Sequence, residues 1–206
     1  MSYKILYDLF SQCLSRPYIT VENSASLDIV FQNGTLFIFL EASHGREDWD
    51  NNLDYRIRPY DDMKPLWYCH AGFLKVFKSL LPYIMPHIQN HETRRAIIVG
   101  YSHGGALAIL CHEAAVFHRP DLGRNIKTFA YGAPRVLCDP IPLAVRRRFS
   151  ELYLIQNAND AVTNLPPALL GYRHVGNKIA IEQGETLSPV DAHRPESYLA
   201  ALESML

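Results

Sequence analysis

The stretch from Arg95 to Phe117 constrains the fold more than any other part of the chain. Residues 95–100, Arg-Ala-Ile-Ile-Val-Gly, read as a buried strand; residues 100–105, Gly-Tyr-Ser-His-Gly-Gly, as a tight turn; and residues 106–117 as an apolar helix that ends near Arg119-Pro120. A strand apolar on both sides needs cover on both sides, and the helix that follows it supplies one covering layer. The alternation continues from residue 94 to 156, with a strand at 126–131, a helix at 141–149 and a strand at 151–156. Such alternation implies parallel strands joined by crossover helices, an α/β fold.

The flanking segments fit that frame. Residues 27–32 and 35–42 read as strands joined by the turn dipeptide Asn33-Gly34, the second apolar on both faces. An N-terminal amphipathic helix carries Ile5, Leu6, Leu9, Phe10, Cys13 and Leu14 on one side. Residues 71–88 have helical periodicity, weakened near Pro82 and Pro86; residues 172–182 look extended; residues 195–206 form a last helix. No repeat, linker or low-complexity run interrupts residues 1–206, so one domain is expected, with a mostly parallel central sheet flanked by helices.

Charge excludes some functions. Twenty Lys and Arg stand against 21 Asp and Glu, a formal charge of −1, so no net field attracts nucleic acid. The longest run without acid or base, residues 96–112, holds Tyr-Ser-His-Gly-Gly in its middle and is no clean membrane span. Cys13, Cys69, Cys111 and Cys138 are far apart and form no CxxC pair, which favours reduced core thiols over zinc ligation. Asp8 breaks the apolar run that a signal peptide needs, so a cytoplasmic protein is expected, with export by another route left open. The run Arg146-Arg147-Arg148 reads as the solvated end of a helix.

The turn carries the chemistry. Gly100-Tyr101-Ser102-His103-Gly104 is a GxSxG pattern placed between strand and helix, the context of a nucleophile elbow. A serine there has strained backbone angles and exposes its hydroxyl above a helix N-terminus, where developing negative charge is favoured. Serine needs a base to take its proton, and the base needs an orienting acid, in the chain order Ser, Asp or Glu, His. Asp160 lies just past the strand at 151–156 and leads over Asp139, which runs straight into a helix. Two histidines follow Ser102: His193, in a loop opening the last helix, leads over His174, which enters an extended segment.

These motifs together resemble the class 3, or fungal-type, lipases of the α/β-hydrolase superfamily, over roughly residues 28–202. The family's GHSLGG elbow is matched by Gly100 to Gly105, its FGxPRV run by Tyr131-Gly132-Ala133-Pro134-Arg135-Val136, and its DxVxxLPP loop by Asp160 to Pro167. Its GYxHVG segment is matched by Gly171 to Gly176, its HxxxxYL by His193 to Leu199, and its HxGF by His70-Ala71-Gly72-Phe73. The resemblance implies that Ser102, Asp160 and His193 form the triad and that His174 is a structural signature. It places Ser43 and the backbone N–H of His103 at the oxyanion hole. Two departures stand out: Glu41-Ala42 replaces the family's Arg-Gly, and His103 replaces its usual Leu.

The implied activity is hydrolysis of lipid-like or short- and medium-chain esters, with no metal or organic cofactor and at most transient contact with a lipid surface. A phospholipase or thioesterase with the same triad is the alternative, and a catalytically weak binding protein on the lipase fold is the rival from another class. Residues 59–68 and 165–172 are the candidates for an apolar mouth, their other reading being aromatic and proline packing on the core. Leu169, Leu170 and Tyr101 are the expected substrate-lining residues, and residues 50–68 hold the only room for a lid.

Overall fold

Strands with two apolar faces decide the layering. The computed structural model describes residues 2–42, 55–60, 62–182 and 187–206. In chain order the first strands are β1 (Ile19–Thr20), β2 (Ser26–Gln32), β3 (Thr35–Leu40), β4 (Ile57–Tyr60), β5 (Trp67–His70) and β6 (Arg95–Tyr101). They are followed by β7 (Ile126–Tyr131), β8 (Leu137–Cys138), β9 (Leu152–Asn157), β10 (Tyr172–Arg173) and β11 (Asn177–Ile181). The described α-helices are α1 (Tyr3–Leu14), α2 (Ala71–Ile88), α3 (His103–His118), α4 (Leu143–Arg148) and α5 (Pro195–Glu203).

The main sheet has seven strands in the order β1-β2-β3-β6-β7-β9-β11. β2 and β3 form the hairpin across Asn33-Gly34, with Gln32 opposite Thr35. From β3 onward every pairing is parallel. This is the mostly parallel sheet, flanked by helices, that the sequence implies.

Pleat alternation assigns each side chain to a layer. Leu36, Ile38 and Ile98 pack with Phe77 and Leu80 of α2 and with Leu107 and Leu110 of α3. On the other face, Phe39, Val99, Tyr101, Tyr131 and Ile155 pack with Phe10 of α1 and with Tyr198 and Leu202 of α5. Each apolar side chain buried this fully contributes about 1.5–3 kcal/mol.

Four details bear out or refine the sequence reading. First, α2 runs unbroken through Pro82 and Pro86. Both prolines are exposed, so water can meet the carbonyls left without an i→i+4 partner. Second, the extended segment is two strands that part near Gly176, where φ is +89°; β10 joins a second sheet and β11 the main one. Third, Ile5 and Leu14 of α1 are 50% and 39% exposed, leaving Leu6, Leu9, Phe10 and Cys13 as its buried side.

The fourth is that second sheet, antiparallel and ordered β10-β8-β5-β4. It takes up both ends of the 59–68 segment, one of the two candidate mouths, as the end of β4 and the start of β5. Tyr60 and Trp67 are fully buried there and stack with ring centroids 5.0 Å apart. Packing on the core is the correct reading for them, because cross-strand aromatic pairs remove far more apolar area from water than a loop would.

Candidate active site

β6 ends at Tyr101 and α3 begins at His103, so Ser102 alone turns the chain, at φ 55° and ψ −117°. A non-glycine residue in such a region costs on the order of 1–3 kcal/mol, and its neighbours must hold it there. Here the Ser102 amide donates to the Tyr131 carbonyl at 2.8 Å, and the Ser102 carbonyl accepts from the Ala106 amide at 3.1 Å. The turn also needs a glycine at 104. A Cβ there would lie 2.2 Å from the Leu40 carbonyl oxygen and 2.5 Å from that of Glu41. The end of β3 thus rests against the first turn of α3, whose backbone N–H groups and dipole favour an anion.

Side chains from three separate elements meet above that turn. Ser102 Oγ lies 2.9 Å from His193 Nε2, and His193 Nδ1 lies 2.9 Å from Asp160 Oδ2. The Asp160 side chain is fully buried and the His193 side chain 20% exposed. With Nδ1 facing a carboxylate, the neutral ring carries its proton on Nδ1 and leaves Nε2 to accept from serine.

The acid is held by its own loop and by α5. Asp160 Oδ1 accepts from the Val162 amide at 2.9 Å, and the Tyr198 hydroxyl donates to Oδ2 at 2.6 Å. Burial first, then the Asp160 charge, keeps the Tyr198 phenol far above its ordinary pKa, so it remains a neutral donor. Tyr198 oxygen also accepts from the Asn157 amide at 3.1 Å. The Asn157 side chain donates to the Ala192 carbonyl at 3.0 Å, tying the end of β9 to the residue before His193.

The other downstream histidine meets the acid's loop at Thr163. His174 Nε2 lies 2.8 Å from the Thr163 carbonyl, and the Thr163 hydroxyl donates to the Asp160 carbonyl at 2.8 Å. His174 therefore braces the acid's loop, and burial pushes its pKa down to about 4. Asp139 is paired with Arg173 at 2.8 Å and Arg146 at 3.4 Å, away from Ser102.

Other expected site residues fall in different places. The imidazole of His103 is buried edge-on to Phe73, centroids 5.5 Å apart. Ser43 and the residues 50–54 and 61 of the supposed lid segment lie outside the described residues. Leu169 and Leu170 sit on a short turn next to the acid's loop and are 96% and 51% exposed, forming a surface rim. Tyr101 corrects the expectation of a substrate wall: it is only 5% exposed and faces His193. Pleat parity is the reason, because Tyr101 follows Val99 onto the face covered by α1 and α5.

Sequence reasoning also left out Gly132, Asn157 and the contact Tyr198 makes. Gly132 has φ +55°, and a Cβ there would come within 3.1 Å of the Tyr198 hydroxyl and 3.2 Å of His193 Cε1. The signal was on view in the Tyr-Gly-Ala-Pro-Arg run and in the Tyr of HxxxxYL. The partners of these residues come from elements far away in sequence.

A strained serine at the end of a central parallel strand, with a carboxylate delivered just past a later strand and an imidazole by the loop before the last helix, defines an α/β-hydrolase. Comparison with known proteins narrows the class. Residues 37–170 match the family described as Lipase (class 3), and the chain belongs to that family. A secreted mono- and diacylglycerol lipase of Fusarium solani is 25% identical over 171 residues, covering 81% of this chain and 47% of that protein. A similarly named lipase of Malassezia globosa is 25% identical over 193 residues, covering 90% of this chain and 62% of its own length. This chain thus spans about half to three fifths of these relatives. Among solved structures, lipase II from Rhizopus niveus superposes with a TM-score of 0.68 at 21% identity, covering 81% of this chain and 66% of the other.

The comparisons overturn the cytoplasmic expectation, since both curated relatives are named as secreted lipases. The features behind that expectation do not report on compartment. All four cysteines are free and buried, shielded by packing whatever the redox surroundings, and Leu6, Leu9 and Phe10 of α1 are spent on the core. Among the described residues, no helix is long and apolar enough to cross a membrane.

Proposed function

We propose that the chain, acting as one α/β-hydrolase domain, hydrolyses carboxylic esters by acyl transfer through Ser102. The observation that carries this reading is the continuous relay from Ser102 Oγ to His193 to the buried Asp160, each link 2.9 Å long. His193 Nε2 takes the hydroxyl proton as Ser102 Oγ attacks the ester carbonyl, and Asp160 stabilises the imidazolium that forms. The tetrahedral oxyanion is held at the N-terminus of α3 by the His103 amide, with Ser43 as the expected second donor. His193 then protonates the departing alcohol. Water, deprotonated by the same imidazole, attacks the acyl-enzyme; His193 then returns that proton to Ser102 Oγ as the acid leaves.

The substrate is an uncharged ester of short or medium chain. What supports this is the exposed pair Leu169 and Leu170, with Ile57–Tyr60 and Trp67–His70 of the supposed mouth and lid region paired to each other as β4 and β5. The test is fluorophosphonate labelling together with a chain-length series of p-nitrophenyl esters and a triglyceride emulsion. Labelling lost in Ser102→Ala, with butyrate cleaved faster than long-chain emulsions, is the expected result. A wild-type protein that is neither labelled nor active would instead place it among catalytically silent members of the fold. Preference for phospholipid or thioester in the same panel would replace the substrate while keeping the triad.

A further inference from the structure

His193 is borne by a loop. It closes a short 3-10 turn, Asp191–His193, and only Arg194 separates it from α5, which begins at Pro195. A base that must face both Ser102 and Asp160 needs its ring plane set by something outside that loop. Tyr101 supplies contacts to both its ring and its backbone. The two rings stack with centroids 5.3 Å apart and planes at 25°, and the Tyr101 hydroxyl donates to the His193 carbonyl.

Tyr101 is itself pinned. Phe10 of α1 meets it edge-on at 5.4 Å, and Tyr198 of α5 does the same at 5.8 Å. Phe10 also stacks on Tyr131 at 4.6 Å, and the Tyr131 hydroxyl donates to the Leu6 carbonyl at 2.7 Å. The N-terminal helix, which precedes the residues matched to the family, thereby reaches the base through two rings.

We propose that Tyr101 is a positioning residue for His193. Its ring face holds the imidazole in the plane that aims Nε2 at Ser102, and it favours the imidazolium formed when serine gives up its proton. Its hydroxyl fixes the backbone of the residue that carries the ring. The proposal rests on the acyl-transfer reading above and adds a role to the variable position in front of the nucleophile. From the sequence that position is expected to line the substrate, and strand parity turns it under the base.

Two substitutions separate the contacts: Tyr101→Phe keeps the stacked ring and removes the hydroxyl, and Tyr101→Leu removes both. Each is measured for kcat and KM on p-nitrophenyl butyrate, for the rate of Ser102 phosphonylation by a fluorophosphonate, and for thermal melting. The proton resonance of the His193–Asp160 hydrogen bond is recorded alongside. General-base catalysis contributes about 10²–10⁴-fold, so loosening the base should take a fraction of that. Expected are a fall in kcat of about 3- to 10-fold for Phe and about 30- to 100-fold for Leu, with KM unchanged, phosphonylation slowed in parallel and the resonance broadened.

Wild-type kcat and phosphonylation in a folded Leu variant would overturn the proposal, leaving Tyr101 as packing alone. Should the Leu variant fail to fold, wild-type values in Tyr101→Phe overturn it. An inactive, unlabelled wild-type protein would overturn the acyl-transfer reading first, an outcome distinct from active wild type with indifferent variants.

Discussion

Tyr198 and His193 hydrogen-bond to the same oxygen of Asp160, Oδ2, at 2.6 and 2.9 Å. The sharing makes α5 a support for the acid as well as the element that follows the base. The last residue of β9, Asn157, joins this cluster: its amide donates to the Tyr198 oxygen and its side chain to the Ala192 carbonyl.

Tyr198→Phe removes a buried donor to the carboxylate and leaves the Asn157 amide without that acceptor. A hydrogen bond to a charged group is worth about 1.5–3 kcal/mol, so urea unfolding should show a loss of about 2 kcal/mol. The kcat on p-nitrophenyl butyrate should fall by about tenfold, on general-base magnitudes. An unchanged unfolding midpoint would mean that water replaces the phenol.

Asp160→Asn keeps the volume of the side chain but reverses the hydrogen-bonding logic at His193 Nδ1. The imidazole then sits in the tautomer that cannot accept from Ser102, and kcat should fall by about 10⁴-fold. Steady-state kinetics at neutral pH test this. Activity within tenfold of wild type would assign the orienting acid to another residue.

Gly132→Ala places a Cβ at φ +55° and 3.1–3.3 Å from the Tyr198 hydroxyl, His193 Cε1 and Asp160 Oδ2. Backbone strain of about 1–3 kcal/mol should appear in unfolding curves, and the shift forced on His193 should lower kcat further than stability alone explains.

Stability should fall on mild acidification, by way of two buried histidines outside the triad. Burial lowers the pKa of His112 from 6.5 to about 4 and that of His174 likewise. The unfolded chain therefore binds their protons first. The stability they contribute is full above 6.5 and is lost progressively as pH drops from 6.5 towards 4. Glu113 works in the opposite direction: burial, partly offset by Arg148, raises it from 4.5 to about 7, so its contribution fades as pH rises through that window. Two groups outweigh one, and the urea midpoint should decline between pH 7 and 4.5. Glu113→Gln should steepen that decline, and a flat profile in wild type would contradict the assignment.

Much of the site was legible in the sequence because its signals are local. The elbow spans a few residues, with a glycine at 104 required by carbonyl oxygens 2.2 and 2.5 Å from where a Cβ would be. Asp160 and His193 could be ranked above Asp139 and His174 by their positions relative to strand ends and loops. Tyr101 could not be placed that way. Which face it occupies follows from strand parity, but which residue lies on that face depends on α1, α5 and the loop before α5 arriving together. The aromatic pair Tyr60–Trp67 was ambiguous for a similar reason, since its burial comes from a second sheet whose strands lie between residues 57 and 173.

By itself the sequence determined the α/β layering, the strained serine turn, and the order Ser102, Asp160, His193, because apolar periodicity and glycine requirements act over a few neighbouring residues. Only the tertiary structure decided that Tyr198 shares the acid, that Asn157 ties down the base loop, and that Tyr101 lies beneath the imidazole. Those contacts join residues tens of positions apart. They form only once the sheet has packed between its two helix layers, since that packing excludes water and sets which side chains meet.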